Sequence, residues 1–161
     1  MSHSRSVQKL YIPKVAIIGL GLIGCSWVKA LKKSKSVGLV SGFDRNIDSM
    51  QQALQAGLID DYSLQINDVV NDADLIIISV PILAVAEVLG QIKSSISEKT
   101  ILTDVGSVKG NISKDVSKVL GENFDRFVLG HPIAGSERSG VSAADENLFK
   151  RHKIILTPEQ R

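Results

Sequence analysis

The stretch that decides the fold is KVAIIGLGLIG, from Lys14 to Gly24. Its first part, Lys14 to Leu20, is a short apolar run of the length that a fully buried strand needs. Glycines follow at once, and apolar side chains then recur at the spacing of one helix face: Ile23, Trp27, Ala30 and Leu31. The segment therefore predicts a buried strand, a tight turn and an amphipathic helix.

The glycines form the pattern G-x-G-x-x-G between a strand and a helix, which is the context in which this pattern binds dinucleotides. The first glycine permits the tight turn, the second lets the backbone approach a pyrophosphate, and the third lets helix and strand pack closely. The helix N-terminus adds free N–H groups for the anion. We therefore predict a cofactor loop, the alternative being a glycine turn without a nucleotide; its residues are Gly19, Leu20, Gly21, Leu22, Ile23 and Gly24.

The residue that ends the next apolar run bears on which cofactor binds. Val37 to Asp44 predicts the second strand, and Asp44 follows Gly24 by about 20 residues, the spacing at which an acidic residue meets the adenosine ribose. A carboxylate there accepts hydrogen bonds from both ribose hydroxyls and repels a 2′-phosphate, which favours NAD over NADP. Arg45 keeps NADP open, because an arginine can pair with that phosphate.

The rest of the chain continues to alternate between strands and helices. A helix is predicted from Asn46 to Ala56 and ends at Gly57. Residues 58–73 are less legible, with a short strand near 62–64 and a helical turn near 68–71. Further apolar runs predict strands over 73–81, 100–104, 127–130 and 153–157, and helical spacing recurs over 82–92 and 112–120. The fold class is α/β: a Rossmann-type, doubly wound, mostly parallel sheet with helices on both faces.

Composition excludes several classes of protein. The chain has 161 residues, of which 43% are hydrophobic and 22% charged, which suits one globular domain and not a disordered chain. A net charge of +2 and 4% aromatic residues give no case for binding nucleic acid. The single cysteine, Cys25, excludes a cysteine-based zinc site and suits a reducing compartment. We expect no metal, no signal peptide, no membrane span and a cytoplasmic location.

The two ends of the chain carry expectations of their own. Residues 1–13 are polar and end at Pro13, which predicts a flexible arm before a nucleotide-binding domain over 14–158. Thr157, Pro158 and Gln160 fit a capping box with proline at the first helical position. A helix is thus expected to begin there, as in a fragment of a longer protein. The alternative is a natural tail that only resembles a cap.

Three loops leave predicted strands at their carboxyl ends, where ligands bind in open α/β sheets. The first, Ser79-Val80-Pro81, assigns Val80 and Pro81 to the cofactor site. The second contains Ser107 at a predicted helix start, where a cap is the simpler interpretation. The third begins with His131, directly after a strand, where a dehydrogenase places its acid/base group. His3 and His152 are interpreted as surface residues.

These residues resemble the prephenate dehydrogenase family of tyrosine biosynthesis, which includes arogenate and cyclohexadienyl dehydrogenases. The resemblance rests on GLGLIG, a strand-ending Asp44, DVGSVKG and, above all, GHPIAGSERSG. It covers residues 14–158, the N-terminal nucleotide-binding domain of that family. It implies a helical, dimerising C-terminal domain beyond 158, outside this chain, so that the whole protein is a homodimer and the chain alone is inactive.

The resemblance also implies a reaction and roles for residues. NAD⁺ would take hydride from prephenate as CO₂ leaves, giving 4-hydroxyphenylpyruvate. His131 would hydrogen-bond the substrate hydroxyl and take its proton, a contribution typically of about a hundred- to ten-thousand-fold in rate. Ser107 would orient this histidine and bind the same hydroxyl. Glu137 matches a residue near the substrate entrance.

Three alternatives stay open. The substrate is arogenate instead of prephenate, a difference of one amino for one keto group. The chain is a non-catalytic dinucleotide-binding module, such as a sensor domain. Or it belongs to another dehydrogenase with the same glycine loop, of the 3-hydroxyacid or pyrroline-carboxylate type, against which the block from His131 to Glu137 argues.

Overall fold

The computed structural model describes residues 10–107, 109–135 and 137–157. In this part of the chain, one sheet has the strand order β3-β2-β1-β4-β5-β6-β7. The first six strands pair in parallel, and β7 is antiparallel to β6. The strands are β1 (Ile12–Ile18), β2 (Val37–Phe43), β3 (Asp61–Tyr62), β4 (Leu75–Ile78), β5 (Ile101–Asp104), β6 (Phe127–Pro132) and β7 (Ile154–Thr157).

Helices connect the parallel strands. They are α1 (Leu22–Lys33), α2 (Ile47–Gln55), α3 (Ile66–Val70), α4 (Val85–Ile92) and α5 (Lys109–Leu120), with 3-10 turns over Ile82–Ala84, Gly121–Arg126 and Val141–Ala143. Asn46 caps α2 by accepting a hydrogen bond from the Asp48 N–H at 2.9 Å, and Gly57 follows the helix with φ +66°. The alternation and strand order confirm the predicted doubly wound fold.

Two apolar cores lie on opposite faces of the sheet, because successive residues of a strand point to opposite sides. Ala16 and Ile18 of β1 face the core under α3, α4 and α5. Val15 and Ile17 face the core under α1 and α2. All four are at most 1% exposed, so the second half of β1 is fully buried, as the continuous apolar run predicts, whereas Pro13 near its start is exposed. No helix in the described part of the chain is long and apolar enough to cross a membrane.

The face predicted for α1 is wrong in part. Cys25 and Val28 are fully buried, whereas Ile23, Trp27, Ala30 and Leu31 are half-buried. Of these four, Trp27 and Leu31 still pack against the same core as Cys25 and Val28. The Trp27 ring packs against Phe149, with 5.1 Å between ring centroids. The connection between β6 and β7 thus covers part of this helix, and Ser26 accepts a hydrogen bond from the Asp145 N–H there. The apolar spacing thus predicted a contact face, but part of that face, at Trp27, packs against Phe149, which is far away in the sequence.

Two strand boundaries also differ from the prediction. β1 begins at Ile12, whose N–H donates to the Ser36 carbonyl at 2.9 Å, so the boundary predicted at residue 13 is two residues late. Residues 1–9 and 158–161, with most of the predicted arm and of the capping box, lie outside the described residues. β6 runs on to Pro132, so His131 lies within a strand and not after one.

The cause of the longer β6 is its antiparallel neighbour. β5 pairs with β6 only at Phe127 and Val128, whereas β7 pairs from Leu129 to Pro132 and places Ile155 opposite His131. β7 has the apolar composition of a buried strand, yet its side chains are exposed. It is the last strand of the described sheet, reached through an irregular connection, and it breaks the parallel order.

Candidate functional site

The three glycines of the loop after β1 have different surroundings. Gly19 has φ +96°, and a Cβ there would lie 2.3 Å from the Ser79 carbonyl oxygen. A Cβ on Gly24 would lie 2.2 Å from the Gly19 carbonyl oxygen. Around Gly21, by contrast, no described atom outside Gly21 and its two chain neighbours lies within 4 Å of the Cβ position. The loop therefore has a tight turn, an open backbone and a close helix contact, in the order that the pattern predicts.

The helix that begins in this loop is suited to an anion. Gly21 is the N-cap of α1 and has no side chain to occupy the free N–H groups, and the first turn holds no acidic residue. The unsatisfied N–H groups and the helix dipole favour a negative group at this end. The adjoining backbone is already engaged, since the Gly19 N–H donates to the Phe43 carbonyl at 2.9 Å.

Asp44 connects the end of β2 with the glycine loop. Its Oδ2 accepts a hydrogen bond from the Leu20 N–H at 2.7 Å, and its Oδ1 accepts one from the Asn46 N–H at 2.9 Å. Each carboxylate oxygen can accept a further bond, because an ionised carboxylate offers about four lone-pair sites. Asp44 is thus held in the loop by two hydrogen bonds, and its carboxylate can still accept hydrogen bonds from the hydroxyl groups of a ligand.

A cleft of about 490 Å³ opens between the carboxyl ends of β1, β2 and β4. This is the point where the strand order reverses, with β1 between β2 and β4, and where open α/β sheets bind their ligands. The cleft is lined by Ile18, Gly19, Gly21, Phe43, Asp44, Arg45, Ser79, Val80, Pro81, Leu83, Ala84, Glu87 and Val88. Val80, Pro81 and Leu83 give it an apolar wall, and Leu83 is 93% exposed.

The predicted cofactor residues divide into two groups. Those that line the cleft are Gly19, Gly21, Asp44, Arg45, Val80 and Pro81. Leu20, Leu22 and Gly24 are buried, and Ile23 is half-buried. The side chains of Leu20 and Leu22 therefore serve the core, and the loop can offer a ligand only the main chain at these positions.

An ion pair lies at the rim of the cleft. The Arg45 Nη2 lies 2.7 Å from Oε2 of Glu87, in the first turn of α4, and both side chains are largely exposed. Gln91 donates to the other carboxylate oxygen of Glu87 at 3.3 Å. Sequence reasoning missed Glu87 because no motif contains it. Its local signal is its place in the helix that follows the Ser79-Val80-Pro81 loop.

A second group of polar residues lies at the carboxyl ends of β5 and β6. Asp104, which ends β5, is 2% exposed. Its Oδ2 accepts a hydrogen bond from the Gly106 N–H at 2.9 Å, and its Oδ1 accepts one from the Gly130 N–H at 3.1 Å. The carboxylate therefore joins the loop before Ser107 to the strand residue before His131. Sequence reasoning missed this role, although an acidic residue that ends a buried strand was a usable signal.

The predicted catalytic residues lie on neighbouring elements. His131 is half-buried in β6, and Ser107 is exposed just after β5. Asp104, the last residue of β5, accepts a hydrogen bond from the N–H of Gly130, which directly precedes His131, and Ser107 follows three residues after Asp104. The topology thus brings Ser107 and His131 to the same edge of the sheet as the cleft. Glu137 is exposed in the connection between β6 and β7.

Cys25 has no nucleophilic character. The pKa of its thiol is raised from 9.0 to about 12, chiefly by burial and then by the nearby charge of Asp44, which outweighs the opposite effect of Lys29. The thiol is therefore neutral at physiological pH and acts as a small core side chain. Across the described residues, no group of three or more His, Cys, Asp or Glu side chains is placed to hold a metal ion.

Comparison with known proteins decides the family. The family model for "Prephenate dehydrogenase, nucleotide-binding domain" matches residues 28–161, which is most of the chain. The chain belongs to this family. The prephenate dehydrogenase of Lactococcus lactis is 36% identical to it over 149 residues, covering 92% of this chain and 42% of the relative. The predicted resemblance is confirmed, and the alternative of an unrelated dehydrogenase with the same glycine loop is ruled out.

Solved structures of prephenate dehydrogenases and their relatives agree. The structure of prephenate dehydrogenase from Aquifex aeolicus with hydroxyphenyl propionate and NAD⁺ matches with a TM-score of 0.86 and 36% identity, over 95% of this chain and 53% of that one. Synechocystis arogenate dehydrogenase matches with a TM-score of 0.82 and 30% identity, over 91% of this chain and 50% of that one. The chain thus spans about half the length of the relatives it matches.

Proposed function

We propose that this chain binds NAD and carries the catalytic histidine of a prephenate dehydrogenase. The whole protein would convert prephenate to 4-hydroxyphenylpyruvate in tyrosine biosynthesis. The observation that carries the proposal is the shared sheet edge: the glycine-loop cleft, the loop of Ser107 and the end of β6 that holds His131 all lie at the carboxyl ends of adjacent strands. Family membership supports it, as does the NAD⁺ bound to the A. aeolicus relative.

The residues present fit a dinucleotide. The space beside the Gly21 backbone is open, and a Cβ at this position would occupy it. The N-terminus of α1 lies next to it without a side-chain cap, which favours binding of the pyrophosphate. Asp44 would accept the ribose hydroxyls, and Val80 and Pro81 would form the apolar wall. NAD⁺ supplies a hydride acceptor when bound. NAD is preferred over NADP because the Asp44 carboxylate repels a 2′-phosphate.

His131 would act as the general base. Histidine suits this task because it can be neutral, and therefore able to accept a proton, at working pH. It would take the proton of the ring hydroxyl as that carbon becomes a carbonyl, and the ring carboxylate would leave as CO₂. Ser107 would bind the same hydroxyl and orient the imidazole. Asp104 would support both residues by holding the Gly106 and Gly130 N–H groups. Glu137 would lie near the substrate entrance.

The test is His131→Asn in the complete protein, with His152→Asn as the matched control, since His152 is an exposed histidine away from the cleft. We expect turnover of prephenate, followed as NADH absorbance, to fall at least a hundredfold in the His131 variant. The dissociation constant for NAD should change less than twofold, and the control should behave as wild type. Equal losses of turnover and NAD affinity would contradict the assigned role.

Arogenate is the second candidate substrate, favoured by the likeness to the Synechocystis enzyme. The same assay with both substrates decides between them by the ratio of their kcat/KM values. A protein that binds NAD but oxidises neither would be the non-catalytic module instead. For the whole protein, we further propose a homodimer, formed through a helical C-terminal domain, and a cytoplasmic location.

A further inference from the structure

Charged side chains surround the part of the cleft that would hold the adenosine ribose. Asp44 and Arg45 follow β2, and Glu87 reaches the same rim from α4 on the other side of the cleft. These two carboxylates and one guanidinium give the rim one net negative charge. Arg45 is the group among them that could attract a phosphate, because arginine pairs with phosphate oxygens through two parallel N–H bonds.

Glu87 competes for that guanidinium. Its Oε2 lies 2.7 Å from Arg45 Nη2, and Gln91 one turn further along α4 donates to its Oε1. The carboxylate is therefore oriented from its own helix, and the arginine is drawn toward α4. For Arg45 to bind a 2′-phosphate, it would have to leave Glu87. That carboxylate would then remain at the rim as a second repelling charge beside Asp44.

We propose that Glu87 is a specificity-determining residue that excludes NADP, by holding Arg45 and by adding its own negative charge. The inference rests on the proposed binding of NAD and deepens it. Asp44 would discriminate through direct contact with the ribose. Glu87 would act through Arg45, which among the described residues lining the cleft is the basic side chain that could reverse the preference. Asp44 follows β2 and Glu87 lies in α4, so each residue can be substituted without changing the other.

The size of the effect follows from the exposure of the pair. Both side chains are more than half exposed, at 69% for Arg45 and 57% for Glu87. Charges in such positions interact through water and are screened by salt. A 2′-phosphate carries up to about two negative charges, so removing one carboxylate and releasing one guanidinium should together raise NADP affinity about fivefold.

The experiment is a calorimetric titration of the complete protein with NAD and with NADP. The variants are Glu87→Gln, which keeps the shape, and Glu87→Ala, which also removes any amide contact with Arg45. Glu98→Gln is the matched control, because Glu98 is an exposed acid outside the cleft. Thermal melting checks that each variant folds, since Glu87 lies in the first turn of α4.

We expect the ratio of NADP to NAD affinity to rise about fivefold in both Glu87 variants and to stay unchanged in the control. The gain should shrink at high salt, and it should be smaller in the Arg45→Ala background, where only the repulsion by Glu87 itself is removed. An unchanged ratio, or an equal gain with Arg45 absent, would overturn the inference. If the wild-type protein binds neither nucleotide, the proposed function fails instead, so the two failures are distinguishable.

Discussion

Gly19 and Gly21 stand two positions apart in one loop, yet their surroundings differ in kind. Gly19 adopts φ +96° and touches the Ser79 backbone, whereas the space beside Gly21 is open among the described residues. The first position is thus fixed by the fold and the second is left free for a ligand. A side chain added at each should separate stability from binding.

We therefore expect opposite outcomes for alanine at these two positions. Gly19→Ala should destabilise the fold by about 3 kcal/mol, because it adds backbone strain and an overlap with a carbonyl group that cannot move freely. Gly21→Ala should cost less than about 1 kcal/mol, but its methyl should lower NAD affinity at least tenfold. Denaturant unfolding and calorimetry measure the two quantities. A stable Gly19→Ala protein would contradict the strain argument, and full NAD affinity in Gly21→Ala would contradict the placement of the pyrophosphate.

At the scale of elements, the decisive contact is between β5 and β6. Thr103 Oγ1 donates to the Val128 carbonyl at 2.7 Å. The buried carboxylate of Asp104 accepts hydrogen bonds from the N–H groups of Gly106, in the loop after β5, and of Gly130, in β6. These side-chain bonds extend the junction past the point where the β5–β6 backbone ladder ends. They hold the strand of His131 against the loop of Ser107.

Asp104→Asn tests this junction. The amide offers one oxygen to the two N–H groups, and its NH₂ would face the other donor, leaving buried polar groups unsatisfied at a cost of about 2–3 kcal/mol. We expect a lower denaturant midpoint and, in the complete protein, a larger fall in kcat than in NAD affinity. Asp61→Asn, an exposed aspartate on β3, is the control. A midpoint equal to that of wild type would show that the carboxylate is not needed here.

At the scale of the whole molecule, the buried thiol of Cys25 makes the stability of the fold depend on pH. Its pKa is about 12 in the folded state against 9.0 for the free group, so the folded protein holds a proton that the unfolded chain releases above about pH 9. This contribution to stability is fully present below pH 9 and is lost as the pH rises toward 12. The slope is at most about 1.4 kcal/mol per pH unit.

Cys25→Ala should remove this slope. The variant should be less stable at neutral pH, because a buried side chain is truncated, but its free energy of unfolding should fall less steeply above pH 9. Denaturant titrations between neutral pH and about pH 10.5 compare the two proteins. If the free energies of unfolding of the two proteins fall in parallel above pH 9, groups other than Cys25 govern the loss of stability at alkaline pH.

Much of this molecule follows from local pattern. The strand, turn and helix around Gly19–Gly24, the acidic end of β2 and the alternation of elements were all predicted, because they depend on backbone conformation and on the period of apolar residues. The α1 face was predicted less well. The periodicity of apolar residues predicts that Trp27 lies on the apolar side of a helix, but it does not predict that Phe149 packs against it.

The sequence by itself determined the fold class, the glycine loop and the family, because each depends on residues that lie close together in the chain. Only the tertiary structure decided that His131 lies within β6, that Asp104 joins two elements 26 residues apart, and that Arg45 pairs with Glu87 across 42 residues. The physical reason is that these contacts depend on which strands become neighbours. Strand order is set by packing of the whole chain, and no local spacing encodes it.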